Sequence, residues 1–240
     1  MQLAEHNHTL AVYLIPSADT SFYQLASAVI GYDVLRGTPV PPLLTQHDPA
    51  AAAWVGIARL FGCHATMGEA VAYAAADLDE IATRLDWIAS RTAPITLHAG
   101  RWHASFALLP RALGITFDDP AQATYRLHRL VVTLVQVLHT GSPFFEPHRA
   151  TFSAADQEAF TRYGTPRYRI LENFTLHFSL LSSLPDWSTR QRVAQLLSEE
   201  YGLWATPAQR SLHLDTLYLL EQSPDQHFRV VQSFALRGNA

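Results

Sequence analysis

Two short stretches constrain this chain most: Gly62-Cys63-His64-Ala65-Thr66-Met67 and Thr175-Leu176-His177-Phe178-Ser179-Leu180. Each sets a histidine and a hydroxyl residue among apolar neighbours, as a half-buried strand does. In an extended strand residues i and i+2 share a face, so each stretch places one imidazole beside one hydroxyl. Among twelve histidines such triplets also arise by chance, and His103-Ala104-Ser105 is a third. The first two stand apart because they occupy equivalent places in a repeated order of elements.

That order is strand, helix, irregular segment, histidine strand, helix, two strands. In the first half, residues 8–16 read as a buried strand stopped by Pro16. Asp19 or Thr20 caps a helix running to Gly31, and the Pro- and Gly-rich residues 32–49 read as a surface loop. A short helix over 50–60 leads into the first histidine strand. The stripe Leu78, Ile81, Ala82, Leu85, Ile88 predicts a helix over 75–90. Residues 94–98 and 102–109 follow as two strands around the turn Ala99-Gly100-Arg101.

In the second half, a strand over 114–117 and a helix over 120–139 precede a loop at 141–151. Ser153 caps a helix ending near Gly164, and the second histidine strand follows. A helix over 188–201 comes next, then strands over 213–220 and 227–236. Ser105-Phe106-Ala107-Leu108 and Ser233-Phe234-Ala235-Leu236 match at corresponding places. The halves, residues 1–112 and 113–240, are expected to form two lobes of one integrated domain.

Composition narrows the chemistry. The chain has no lysine, so all 17 basic residues are arginines, which excludes a P-loop lysine, a pyridoxal Schiff base and a lysine nucleophile. A single cysteine, Cys63, excludes an internal disulfide and a multi-thiolate metal site. The net charge of −4 argues against broad nucleic-acid binding. No window reaches the roughly 20 apolar residues of a membrane span, and the first residues do not read as a signal peptide. A cytoplasmic location is the expectation.

What remains is chemistry built from His, Arg, Ser, Thr, Tyr and carboxylates. A cyclic phosphodiester opens by in-line attack of water when one group removes a proton and another protonates the departing oxygen. Histidine suits both roles because its ordinary pKa lies near neutrality. His64 and His177 are therefore the candidate base and acid, in an order the sequence leaves open, with Thr66 and Ser179 as phosphate ligands. Arg59, Arg167 and Arg169 are the nearest candidates to supply positive charge, and Tyr13 could line the site; for each, ordinary surface or packing use is the commoner case. No metal-ligand spacing and no cofactor loop is present, so neither a metal nor a cofactor is expected.

The two His-x-Thr/Ser motifs resemble the signature of the two-histidine (2H) phosphoesterase superfamily. Further stretches resemble its branch labelled phosphonate metabolism proteins: Ala11 to Pro16; Ile30-Gly31-Tyr32-Asp33 with Gly37 and Pro39; and Ser153 to Pro166 leading to the second motif. The resemblance implies an α+β bilobal fold of pseudo-two-fold symmetry, with two antiparallel sheets lining a central cleft and helices outside. It also implies hydrolysis of a small cyclic phosphate of a nucleotide or sugar without a metal.

The chain departs from the branch pattern around the motifs. Gly68 and Glu69 stand where a lysine is expected, Phe61 where an aromatic hydroxyl is, and Thr175 where an arginine is. Fewer charges around a phosphate favour a second reading, a weak or inactive protein that binds a nucleotide or phosphosugar. A third reading, an RNA end-processing protein on the same fold, would want a basic surface.

Overall fold

The computed structural model describes residues 7–102, 111–199, 202, 206 and 210–239. Strand β1 (Asn7–Leu14) is followed by helix α1 (Ser21–Ile30), whose ends are fixed by local chemistry. The Thr20 hydroxyl accepts the Tyr23 N–H at 3.2 Å, and Gly31, at φ 79°, closes the helix in the left-handed region. A small ribbon, β2 (Tyr32–Asp33) with β3 (Thr38–Pro39), comes next.

The expected surface loop at 32–49 is therefore partly core: Tyr32, Asp33 and Val34 are buried. Their polar atoms are matched inside, which is what permits burial. Tyr23 donates its hydroxyl to Asp33 at 2.6 Å, and Tyr32 donates to the Phe228 carbonyl at 2.8 Å. The helix expected over 50–60 is two short ones, α2 (Ala51–Trp54) and α3 (Ala58–Phe61), interrupted at Gly56 with φ 58°.

Strand β4 (Ala65–Ala74) and helix α4 (Leu78–Arg91) follow as the periodicity predicts. The turn predicted at Ala99-Gly100-Arg101 is corrected: strand β5 (Ile95–Trp102) runs through it. Its ladder with β6 (Leu113–Asp118) passes from His98↔Asp118 to Arg101↔Thr116, three steps against two. The extra residue is taken up as a bulge with Ala99 at φ 49°, so the apparent turn is an interruption within one strand. Residues 103–109 of the second predicted strand, with Ser105-Phe106-Ala107-Leu108, lie outside the described residues.

The remaining elements are α5 (Ala123–Leu134), α6 (Ala154–Tyr163), β7 (Phe178–Leu181), α7 (Trp187–Glu199), β8 (Leu212–Leu214), β9 (Thr216–Gln222) and β10 (Phe228–Ala235). The strand predicted over 213–220 breaks at Asp215, so its two parts join different neighbours: β8 pairs with β5, and β9 with β1.

The described strands other than β2 and β3 form one eight-stranded antiparallel sheet in the order β10-β9-β1-β4-β7-β6-β5-β8. A flat sheet would separate β8 from β9 by roughly 29 Å, at about 4.8 Å per strand. Yet Leu214 and Thr216 are two residues apart, a reach of at most about 7.6 Å. The sheet therefore curls back on itself. The two sheets expected from the sequence are its halves, β10-β9-β1-β4 and β7-β6-β5-β8, and each half draws strands from both halves of the sequence. Among the described residues they meet at a single bridging pair, Ala65↔Phe178.

Helices α1 and α5 pack on the face to which Phe178 points. On α1, Phe22 packs edge-on against Phe117 and Phe178, at 5.5 and 5.3 Å between ring centres. On α5, Val131 lies so close to Gly68 that a Cβ there would come within 2.8 Å of it. The fold is mixed α+β. Among the described residues no helix is long and apolar enough to cross a membrane.

Candidate active site

The pairing Ala65↔Phe178 decides how the two histidine stretches meet. Continued one residue each way along an antiparallel ladder, it sets Thr66 opposite His177 and His64 opposite Ser179. All four side chains then share one face, because Ala65 and Phe178 point to the other. Direct partners stand about 5 Å apart at Cβ and diagonal ones about 7 to 8 Å, a square that one phosphoryl group can fill. The burial pattern agrees: Ala65, Met67, Phe178 and Leu180 are buried, while His64, Thr66, His177 and Ser179 are half-buried.

Both imidazoles are held alike. His64 Nδ1 lies 2.9 Å from the Gly62 carbonyl, and His177 Nδ1 lies 2.8 Å from the Thr175 carbonyl, two residues upstream in each case. A carbonyl only accepts, so each Nδ1 carries the proton of the neutral ring and proton exchange falls to Nε2. His64 Nε2 is 3.2 Å from the Thr66 hydroxyl. Gly62 makes this geometry possible: its φ is 70°, and a Cβ there would come 2.6 Å from Val34 Cβ.

His64 is stacked on Tyr13 with ring centres 3.8 Å apart and planes at 18°. Burial pushes its pKa down to about 4; the Gly62 carbonyl opposes the shift, and the nearby His177 adds to it. Tyr13 itself is 2% exposed, and burial raises its phenol well above the usual value. In this structure its ring is the support beneath His64.

Of the three candidate arginines, Arg169 is brought to the site. It donates from Nε and Nη2 to Glu69 Oε1 at 3.1 and 2.9 Å, and its charge acts on both His64 and Tyr13. Glu69 reaches this position because β4 is bulged: its partners on β1 run from Thr66 opposite Tyr13 to Gly68 opposite Val12, leaving Met67 as the extra residue. The chain thus lacks a basic side chain after the first motif, where Val131 crowds Gly68, and presents an arginine from the segment before the second. Arg59 instead donates to the Ala52 carbonyl at 2.8 Å, and Arg167 is paired with Glu172.

Sequence reasoning missed Glu69 as a site residue, and it missed His128. His128 is 1% exposed, hydrogen-bonded at both ring nitrogens, and its pKa is pushed down to about 4 by burial. The available signal was a histidine on the apolar stripe of a helix, between Leu127 and Val131. Among the described residues no cluster of three or more His, Cys, Asp and Glu is placed to hold a metal ion.

These two histidines give a stability prediction. Their folded-state values lie below the ordinary value of 6.5, so the unfolded chain binds more protons between pH 6.5 and about 4. Their stabilising contribution is complete above pH 6.5 and is lost as pH falls through that window. For fully buried His128 the loss reaches about 3 kcal/mol at the acid end. Urea unfolding at pH 7.5, 6 and 4.5 checks this: a midpoint that holds or rises towards pH 4.5 contradicts it.

No protein-family model matches the chain. The ribose 1,5-bisphosphate phosphokinase PhnN of Laribacter hongkongensis (strain HLHK9) is 29% identical over 194 residues, which cover 75% of this chain and 42% of that protein. The chain therefore spans less than half the length of the curated relative it matches. Among solved structures, TT0787 of Thermus thermophilus aligns with a TM-score of 0.50 and 16% identity, over 97% of this chain and 100% of that one. E. coli LigT complexed with NADP+ aligns with a TM-score of 0.48 and 12% identity over 97% and 99%. Usb1 of Kluyveromyces marxianus aligns with a TM-score of 0.42 and 12% identity over 98% and 99%. At these identities the alignments concern the fold alone.

Proposed function

We propose that this protein is a phosphoesterase of the 2H type that opens a small cyclic phosphodiester, with His64 as general base and His177 as general acid. One observation carries the reading: the Ala65↔Phe178 register gathers two imidazoles, both held through Nδ1, and two hydroxyls on one face. His64 takes the base role because burial keeps it unprotonated at neutral pH. Its Nε2 accepts a proton from water as the water oxygen forms a bond to phosphorus. The ring P–O bond breaks in line, and His177, protonated at Nε2, delivers its proton to the departing oxygen. Thr66 and Ser179 donate hydrogen bonds to the non-bridging oxygens, and Arg169, oriented by Glu69, adds positive potential.

Two classes of substrate fit a single phosphoryl group in this square, nucleoside 2′,3′-cyclic phosphates and ribose cyclic phosphates. A solved LigT structure is complexed with 3′-AMP, and the curated relative is named for ribose 1,5-bisphosphate, which supports testing both. Phosphokinase activity is not carried over, since a chain without lysine has no P-loop. The division at residues 112 and 113 is retained as the proposed boundary of a duplication, across which the strands have exchanged.

A panel of both substrate classes tests the reading, with phosphomonoester release as readout. Turnover of at least one class supports it. Tight binding without turnover across the panel would instead favour a phosphate-binding protein, a reading to which the Glu69–Arg169 pair lends weight because it neutralises the cation beside the site. Thr66→Val and Ser179→Ala should each lower kcat on the order of 10- to 100-fold, in the range expected for one preorganised donor or somewhat below it. Wild-type kcat in both variants removes these hydroxyls from the mechanism.

A further inference from the structure

Among the described residues the two histidine strands share only one bridging pair, Ala65↔Phe178, so the backbone ladder alone fixes their spacing weakly. Two buried polar side chains, one on α5 and one just beyond it, reach the same places from behind. His128 Nδ1 donates to the Met67 carbonyl at 2.9 Å, one residue past Thr66, and its Nε2 accepts the Leu171 N–H at 2.9 Å. Its ring also stacks on Phe174, three residues before His177, at 4.2 Å and 17°. Gln136 is 0% exposed. Its Oε1 accepts the Glu69 N–H at 3.3 Å, and its Nε2 donates to the Tyr163 carbonyl at 3.0 Å and to the Thr165 hydroxyl at 3.1 Å.

We infer that His128 and Gln136 are positioning residues that set the separation and angle of the two catalytic strands, each tying the bulged part of β4 to the segment leading to Arg169 and His177. The inference rests on the phosphoesterase reading and deepens it. Its chemistry is specific. The backbone partners, two carbonyls and two N–H groups, can each act in only one sense, so the ring tautomer and the amide orientation are both determined. The bonds from His128 to the Met67 carbonyl and from Gln136 to Tyr163 and Thr165 are buried, where water does not compete for the donors and acceptors. Leu171 is held at φ 53°, unusual for a branched residue, and its N–H is the one His128 captures. His128 ties β4 at Met67 to Leu171, and Gln136 ties it at Glu69 to Thr165, so the segment that leads into the second histidine strand is fixed to β4 at two points.

The test compares wild type with His128→Phe, which keeps the ring and its stack but loses both hydrogen bonds, and with His128→Gln, which restores an acceptor. For whichever cyclic phosphate the wild type opens, His128→Phe should lose on the order of 100-fold in kcat, as a misplacement of about 1 Å does, with KM changed less than about threefold. His128→Gln should recover part of that loss. If His128→Phe does not fold, Gln136→Met carries the same comparison. A readout independent of turnover is histidine 15N NMR during titration with inorganic phosphate. In wild type the Nε2 signals of His64 and His177 should move together, and in the variant one should move without the other. A variant with a lowered melting temperature but wild-type kcat and a joint phosphate response makes these residues merely structural and overturns the inference. A wild-type chain that neither turns over a cyclic phosphate nor responds to inorganic phosphate overturns the phosphoesterase reading itself, and the inference with it.

Discussion

Replacing His64 or His177 by alanine is expected to remove catalysis, with kcat falling on the order of 10²- to 10⁴-fold, the range for a positioned proton donor or acceptor. In the proposed mechanism the two act in one step, on entering and leaving oxygens of the same phosphorus, so the double variant should be little worse than the poorer single one. The pH profile distinguishes their roles. A general base works in its neutral form, and His64 stays neutral down to about pH 4, where burial has placed its pKa. The acid-side limb of kcat/KM should therefore fall near pH 4, well below the ordinary imidazole value, and should vanish as a distinct limb in His64→Ala. An acid limb near 6.5 in wild type would sink the assignment of His64 as base. Full activity in either alanine variant would sink the mechanism.

Phe178→Ala is expected to cost about 3–5 kcal/mol of stability, the usual range for emptying a buried phenylalanine site. Phe178 is 0% exposed and packs its ring against Phe22 and Phe117. It also lies between His177 and Ser179 and, among the described residues, is one half of the sole bridging pair between the two halves of the sheet. Its loss should lower the urea midpoint at an unchanged m-value if the fold is kept. A change below about 1 kcal/mol would mean that the cavity collapses and that other contacts hold the strands. Phe178→Leu, which keeps most of the volume, should return a large part of the stability.

Local elements were legible because their signals are local. Thr20 and Gly31 mark the ends of α1, Ser153 and Gly164 those of α6, and the apolar stripe of α4 packs as written. The histidine stretches were legible as strands only in part: β4 begins at Ala65 and β7 at Phe178, one residue after each histidine. Local reading failed where long-range contacts outweighed propensity. Ala99-Gly100-Arg101 has the composition of a turn, yet pairing with β6 carries the strand through it. Residues 32–34 look like loop, yet their hydrogen bonds to Tyr23 and Phe228 allow them into the core. Asp215 lies in an apolar run, yet it is where the chain passes from β8 to β9 and the curl of the sheet closes.

By itself the sequence determined the chemical vocabulary: two histidines each followed at i+2 by a hydroxyl, no lysine, one cysteine, and strand periodicity that puts each pair on a common face. These follow from residue identity and the two-residue repeat of an extended chain, which need no knowledge of neighbours. Only the tertiary structure decided that the pairs meet, in which register, and which charge attends them. Register is a property of two strands together; the β4 bulges, the crowding of Gly68 by Val131 and the capture of Arg169 by Glu69 depend on residues up to 100 positions apart. No window along the chain contains that information, because it resides in the packing of segments that only folding brings together.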